Sequence, residues 1–145
     1  MTIQTRPVEH SDYDWLLDLH HTVYRELIIN EFGYWDDDEE LGLFLEAWET
    51  KTIDIIMQHG KSVGMFILDR KNDYLWLDEI QIDPQYQNQG IGTEIIVQLI
   101  LRARKQNLPL RLRVLHANKG AYRLYQKLGF QQISHAEHHN VMELS

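Results

Sequence analysis

Two apolar periods run along this chain, and their succession outlines the fold. Thr2 to Arg6 reads as a short strand that Pro7 ends. Ser11, three residues before Asp14, makes a capping-box-like pair that opens a helix. On it Trp15, Leu16, Leu19, Val23 and Leu27 recur at helical spacing. Gly33 sits in a break. A second helix starts near Asp36, with Leu41, Phe44, Leu45 and Trp48 as its inner stripe. Ile53 to Gln58 and Ser62 to Arg70 then read as a hairpin around His59-Gly60-Lys61, and Asn72-Asp73 turns the chain into a fourth strand, Tyr74 to Asp83. Strict alternation puts Trp76, Asp78, Ile80 and Ile82 on one face of that strand, and Leu77, Glu79 and Gln81 on the other.

Helical periodicity returns from Gly90 to about Gln106, where Ile91, Ile95, Ile96, Leu99, Ile100 and Ala103 mark the buried side. Leu110 to Leu115 is a strand. Asn118 or a neighbour caps a short helix striped by Ala121, Leu124, Tyr125 and Leu128, and Gly129 stops it. Phe130 to Ser134 and Val141 to Leu144 are the last two strands. The order predicts an α/β (mixed α+β) fold: a central mixed sheet of about six to seven strands flanked by about four helices.

Length and charge narrow the class. The 145 residues suit one domain, 1–145, with enough chain for one good core. The formal net charge of −8 argues against a nucleic-acid binder, which wants a basic surface. The absence of cysteine excludes disulfides, thiolate metal sites and cysteine nucleophiles, and suits a reducing, cytoplasmic setting. The opening MTIQTRPVEHSDYD has no apolar signal core, and no run is long enough to span a membrane.

The chemistry concentrates where the fourth strand ends. Ile80-Gln81-Ile82-Asp83-Pro84-Gln85-Tyr86-Gln87-Asn88-Gln89-Gly90-Ile91-Gly92-Thr93 runs from a strand through a polar loop into a helix that begins at two glycines. A helix start offers unpaired amides and the positive end of a dipole, so bare physics reads an anion site. A Walker loop needs a lysine after Gly92, where Thr93 stands. A dinucleotide fingerprint needs a third glycine, where Ile95 stands.

Gln87 to Gly92, Gln-Asn-Gln-Gly-Ile-Gly, resembles the acyl-CoA signature Arg/Gln-x-x-Gly-x-Gly/Ala of the GNAT (Gcn5-related) N-acetyltransferases. A second family element stands downstream in NKGAYRLYQKLGF, with Asn118, Ala121, Tyr125 and the Gly129-Phe130 pair. The order of elements resembles the family over nearly the whole chain. Gln87 stands where Arg is commoner, which removes one positive charge from the pyrophosphate site.

The resemblance implies acetyl-CoA in a cleft where the strands ending at Ile82 and Leu115 splay apart. Its pantetheine arm would pair with the backbone of Ile80, Gln81 and Ile82, and its pyrophosphate would sit on the amides of Gln87, Asn88, Gln89, Gly90, Ile91, Gly92 and Thr93. Asn118 and Tyr125 would line the wall beside the thioester, with Lys127 near the CoA phosphate end. Tyr125 would be the acid for the thiolate. For the base, Asp78 fits strict alternation, Glu79 fits if a bulge shifts the parity, and a water chain is a third choice. The acyl group would be acetyl or a longer one.

The resemblance implies a primary amine as acceptor. Tyr34, Trp35 and Asp36, with Phe32 and the acidic run to Glu40, suit a small cationic one. A protein N-terminal or lysine acetyltransferase and a catalytically idle acyl-CoA sensor are the alternatives. His116 follows the strand ending at Leu115 and could assist proton transfer. His135, His138 and His139 read as turn residues and His20-His21 as ordinary helix positions, so no metal site is expected. A homodimer is allowed for.

Overall fold

The computed structural model describes residues 2–145. In chain order the elements are β1 (Ile3–Pro7), α1 (Tyr13–Phe32), α2 (Asp37–Thr50), β2 (Ile53–Gln58), β3 (Lys61–Arg70), β4 (Leu75–Ile82), α3 (Ile91–Lys105), β5 (Leu110–Leu115), α4 (Lys119–Leu128), β6 (Gln131–His135) and β7 (His139–Leu144). The expected mixed α/β fold is the observed one, with seven strands in the order β1-β2-β3-β4-β5-β7-β6. Among the described residues only β4 and β5 pair in parallel. No helix among the described residues is long and apolar enough to cross a membrane.

The sheet has a core on each face. On one face Ile91, Ile95, Ile96 and Leu99 of α3, each about 1% exposed, pack on Phe66, Leu75, Leu77, Leu110 and Leu112, joined by Tyr125 of α4. Fully burying each such aliphatic side chain stabilises by about 1.5–3 kcal/mol. On the other face Leu16 and Leu19 of α1 and Phe44 of α2 pack on Ile53, Ile55, Met65 and Ile67.

Local details depart from the simplest reading. Ser11 does not cap α1. A 3-10 turn, His10–Asp12, precedes the helix, and Asp12 accepts from the Glu9 amide at 2.8 Å while pairing with Arg6 at 2.8 Å. Asp36 does cap α2, accepting from the Glu39 amide at 3.0 Å.

The departure that matters most is on β4. Ile67 pairs with Glu79 but Leu68 pairs with Leu77, so Asp78 is an extra residue, a bulge. The bulge reverses the alternation. Leu75, Leu77, Ile80 and Ile82 share the α3 face, whereas Trp76, Glu79 and Gln81 face α1. The strict period-two expectation, with Trp76 beside Ile80 and Leu77 beside Glu79, is therefore wrong across residue 78.

Candidate active site

The parallel pairing of β4 with β5 stops early. Leu75, Trp76 and Leu77 pair with Leu110, Arg111 and Leu112, and beyond them the strands separate. This opens a cleft of about 690 Å³. Because the sheet itself is parted, groups from both faces reach the same space. Glu79 and Tyr24 arrive from the α1 side, and Tyr125 arrives with α4.

Glu79 is the most perturbed carboxylate there. Burial pushes its pKa up to about 7; hydrogen bonds from Tyr24 and Gln81 pull against that, and Asp78 adds to the rise. The Tyr24 hydroxyl donates to Glu79 Oε2 in a short bond, and Gln81 Nε2 donates to the same oxygen at 3.5 Å. A carboxylate that titrates near neutrality can both take and release a proton at working pH. Asp78 lines the same cleft, but its Oδ1 accepts from Trp76 Nε1 at 3.2 Å and from Arg113 at 3.4 Å.

Tyr125 is 7% exposed and packs against Phe130 with ring centres 5.8 Å apart. Burial, then the charge of Glu79, raises its pKa to about 12, so the phenol keeps its proton at neutral pH. Tyr24 is driven well above its ordinary value by burial and by Glu79, and it too stays protonated.

The loop from Gln87 to Gly90 lies outside this cleft and is exposed. Its character is in the backbone. Asn88 and Gly90 both take left-handed angles, φ 63° and 84°, and no side chain caps α3. The first amides of the helix are therefore available to an anion. Gln87 does not project freely, since its Nε2 donates to the Ile82 carbonyl at 3.0 Å. That carbonyl belongs to the stretch expected to pair with a pantetheine arm. Gly92 packs near Ile82, where a Cβ would meet Cγ1 at 3.8 Å.

Of the other expected residues, Ile80, Asn118, Tyr34 and Asp36 line the cleft. Asn118 also caps α4, accepting from the Ala121 amide at 3.3 Å. Trp35 does not line the cleft; it packs on His21 and donates to Asp37 at 2.7 Å. Lys127 is an exposed residue of α4 away from the cleft. His116 is held elsewhere, bonded to the Ala136 carbonyl at 2.7 Å and stacked on His135. His138 bonds Glu31 at 3.1 Å and His135 bonds Asn140 at 2.7 Å.

Two residues of this site were not expected from sequence, Tyr24 and His20. Both sit on the buried side of α1, and the sequence signal was polar side chains at helical spacing from Leu16.

Residues 14–130 match the sequence profile of the acetyltransferase (GNAT) family. The chain belongs to the GNAT acetyltransferase family. It is 28% identical over 143 residues to an uncharacterized N-acetyltransferase of Methanocaldococcus jannaschii, covering 90% of this chain and 62% of that one. It is 38% identical over 65 residues to the spermine/spermidine N(1)-acetyltransferase of Bacillus subtilis, covering 43% of each. The chain thus spans less than two thirds of either relative. Its fold is similar to that of PaiA N-acetyltransferase of Thermoplasma acidophilum, crystallised in complex with coenzyme A. The TM-score is 0.78 at 16% identity, over 99% of this GNAT chain and 98% of that one.

Proposed function

We propose that the protein transfers the acetyl group of acetyl-CoA to a primary amine, and that the preferred acceptor is small and cationic. The observation that carries the acceptor is the charge of the cleft. Asp36, Glu39, Glu40 and Glu46 line it from the α2 side, with Asp78 and Glu79 behind. The cations there, Lys51 and Arg113, are paired with Asp69 and Asp78. Such a surplus attracts a cationic amine and raises its local concentration. The likeness to a polyamine acetyltransferase over 65 residues points the same way.

The residues present fit the donor. The parted strands leave one edge of β4 without a partner beyond Leu77, and the uncapped start of α3 offers amides. Ile80 to Ile82 would hold the pantetheine arm by backbone pairing. Gln87 to Thr93 would hold the pyrophosphate. Bound there, acetyl-CoA supplies an activated acetyl thioester.

The chain's own residues supply the proton handling. An alkylamine is protonated at neutral pH, since its pKa is about 10. Glu79, ionised in part at pH 7, accepts that proton and frees the lone pair. The amine nitrogen bonds the thioester carbon; as the C–S bond breaks, Tyr125 gives the leaving sulfur a proton from Oη and recovers the second proton that the nitrogen sheds in becoming the amide. A cysteine-free chain suits a reducing compartment, and the cytoplasm is the setting we infer.

The test is an acetyl-transfer screen over polyamines, aminoglycosides, amino acids and peptides, read as released thiol. Turnover should be highest with a polyamine or another small cation. A preference for peptides would overturn the acceptor reading. Acetyl-CoA binding without turnover on any amine would overturn the enzyme reading in favour of a sensor module.

A further inference from the structure

Glu79 does not stand alone on its side of the cleft. Gln81 Nε2 contacts Glu79 Oε2 at 3.5 Å and His20 Nδ1 at 3.4 Å. His20 Nε2 in turn contacts Glu40 Oε1 at 3.3 Å. Gln81 is 3% exposed and Glu40 is 8% exposed, so the middle and far end of this row are largely buried in the wall of the cleft.

Only one placement of protons satisfies the row while Glu79 is charged. The Gln81 amide has two N–H groups; one goes to the Glu79 carboxylate and the other to His20 Nδ1. His20 Nδ1 must then accept, which leaves its ring proton on Nε2, and that proton is donated to Glu40. Burial supports this arrangement, since it lowers the His20 pKa to about 4 and keeps the ring neutral. The His20–Glu40 contact is therefore a hydrogen bond to a neutral ring. Turning the amide over would set its oxygen against the carboxylate. The amide instead leaves Oε1 buried without a partner. An orphaned buried acceptor is costly, so the orientation of Gln81 is dictated by the row and not by its other side.

We propose that His20 and Gln81 are positioning residues that hold Glu79 in its charged form and fix its direction, with Glu40 anchoring the row. Neither touches the reacting atoms; His20 acts through Gln81, and Gln81 acts through Glu79. The consequence for the reaction rests on the reading of Glu79 as the base. The other groups facing Glu79 are Tyr24 of α1, Asp78 of β4, Arg113 of β5 and Tyr125 of α4. They are left unchanged in the test.

The test has two readouts. The first is the carboxyl titration of Glu79 in the free protein by carbon NMR, assigned by comparison with Glu79→Gln. The second is the acid limb of the kcat profile with the best amine. Gln81→Leu removes a donor to the charged form, so both midpoints should rise by about one pH unit. His20→Phe keeps a ring in place but frees one amide N–H from its acceptor, and both midpoints should rise by about half as much. His20→Gln can accept from Gln81 and donate to Glu40, so it should restore the parent midpoints. Melting temperatures identify variants that fail to fold, and Gln81→Met, closer in shape to Gln, serves where Gln81→Leu does. If Glu79 titrates at the parent pH in folded Gln81 and His20→Phe variants, the proposal is wrong. If the NMR midpoint moves and the acid limb does not, the positioning row stands and Glu79 is not the base.

Discussion

Two regions at the parted edge of β4 are built by opposite means. At the α3 end, Gln87 to Gly90 carries no charged side chain and works through exposed backbone, with left-handed turns at Asn88 and Gly90. At the α1 end, Glu79, Tyr24, Gln81, His20 and Glu40 form a largely buried row of side chains whose proton affinities are displaced by burial and by one another. One end can bind a constant anionic group with main-chain amides that any sequence possesses. The other must adjust acidity, and only side chains brought out of water can do that. Substitutions at the two ends should therefore fail differently.

The largest effect is expected at the α1 end. Glu79→Gln should lower kcat by roughly 10²- to 10⁴-fold, the range for general acid–base catalysis, with acetyl-CoA affinity retained. Asp78→Asn should cost less than about tenfold, because Asp78 is already engaged with Trp76 and Arg113. Equal losses from the two changes would dissolve the distinction the bulge makes. Tyr125→Phe should also lower kcat, by on the order of 10²-fold, again without weakening the donor.

At the α3 end the effect should be smaller and confined to binding. Gly90→Val places a β-branched residue at φ 84°, which it resists, and spoils the amide cradle. The rise in melting temperature produced by acetyl-CoA should shrink or vanish, while the acid limb of the pH profile stays put. Gly90→Asn tolerates the left-handed angle and should keep more of that rise. A normal thermal response from folded Gly90→Val would remove the loop from the donor site.

Smaller still is the effect of charge at the cleft mouth. Changing Glu39 and Glu46 together to Gln should lower kcat/KM for a cationic amine several-fold at low salt. The gap should close towards 1 M salt, where the Debye length is about 3 Å. Asp36 is spared because it caps α2, and removing such a cap costs about 1 kcal/mol in its own right. A gap that persists at high salt would mean contact and not steering.

The smallest signal lies in stability. Glu79 is raised from 4.5 to about 7, so the folded chain binds the extra proton between those values and loses stability as pH rises through them. His20 is lowered from 6.5 to about 4, so stability is lost as pH falls through that window. The two slopes oppose each other between about pH 4.5 and 6.5. Glu79→Gln deletes one of them. The melting temperature of the variant, relative to the parent, should be higher at pH 8 than at pH 5. No pH dependence in that difference would show Glu79 to be less perturbed than its surroundings imply.

The same contrast explains what could be read from sequence. The start of α3 at Gly90, the Asn118 cap and the Gly129 stop are local devices whose causes lie within a few residues. The loop geometry before α3 was legible for that reason. The α1 end was not, because Tyr24 is 55 residues from Glu79 and His20 is 61 from Gln81. The bulge at Asp78 is written in no single residue; it follows from the register that β3 imposes on β4. Gly64 of β3 shows how tight that register is, since a Cβ there would collide with the Gln81 main-chain oxygen. Trp35 was assigned to the cleft from its aromatic character, but its ring is used to pack against the two histidines of α1.

The parting of β4 from β5 has a kinetic consequence. Glu79 looks into the gap from one face of the sheet and Tyr125 from the other, and on the proposed reading the donor and the acceptor approach from opposite faces and are present at once. Neither has to vacate the gap for its partner, and the chain has no cysteine to carry an acyl group between two half-reactions. Initial rates measured against the amine at several fixed acetyl-CoA concentrations should therefore give double-reciprocal lines that intersect. Parallel lines would mean that the two molecules take turns in a single doorway.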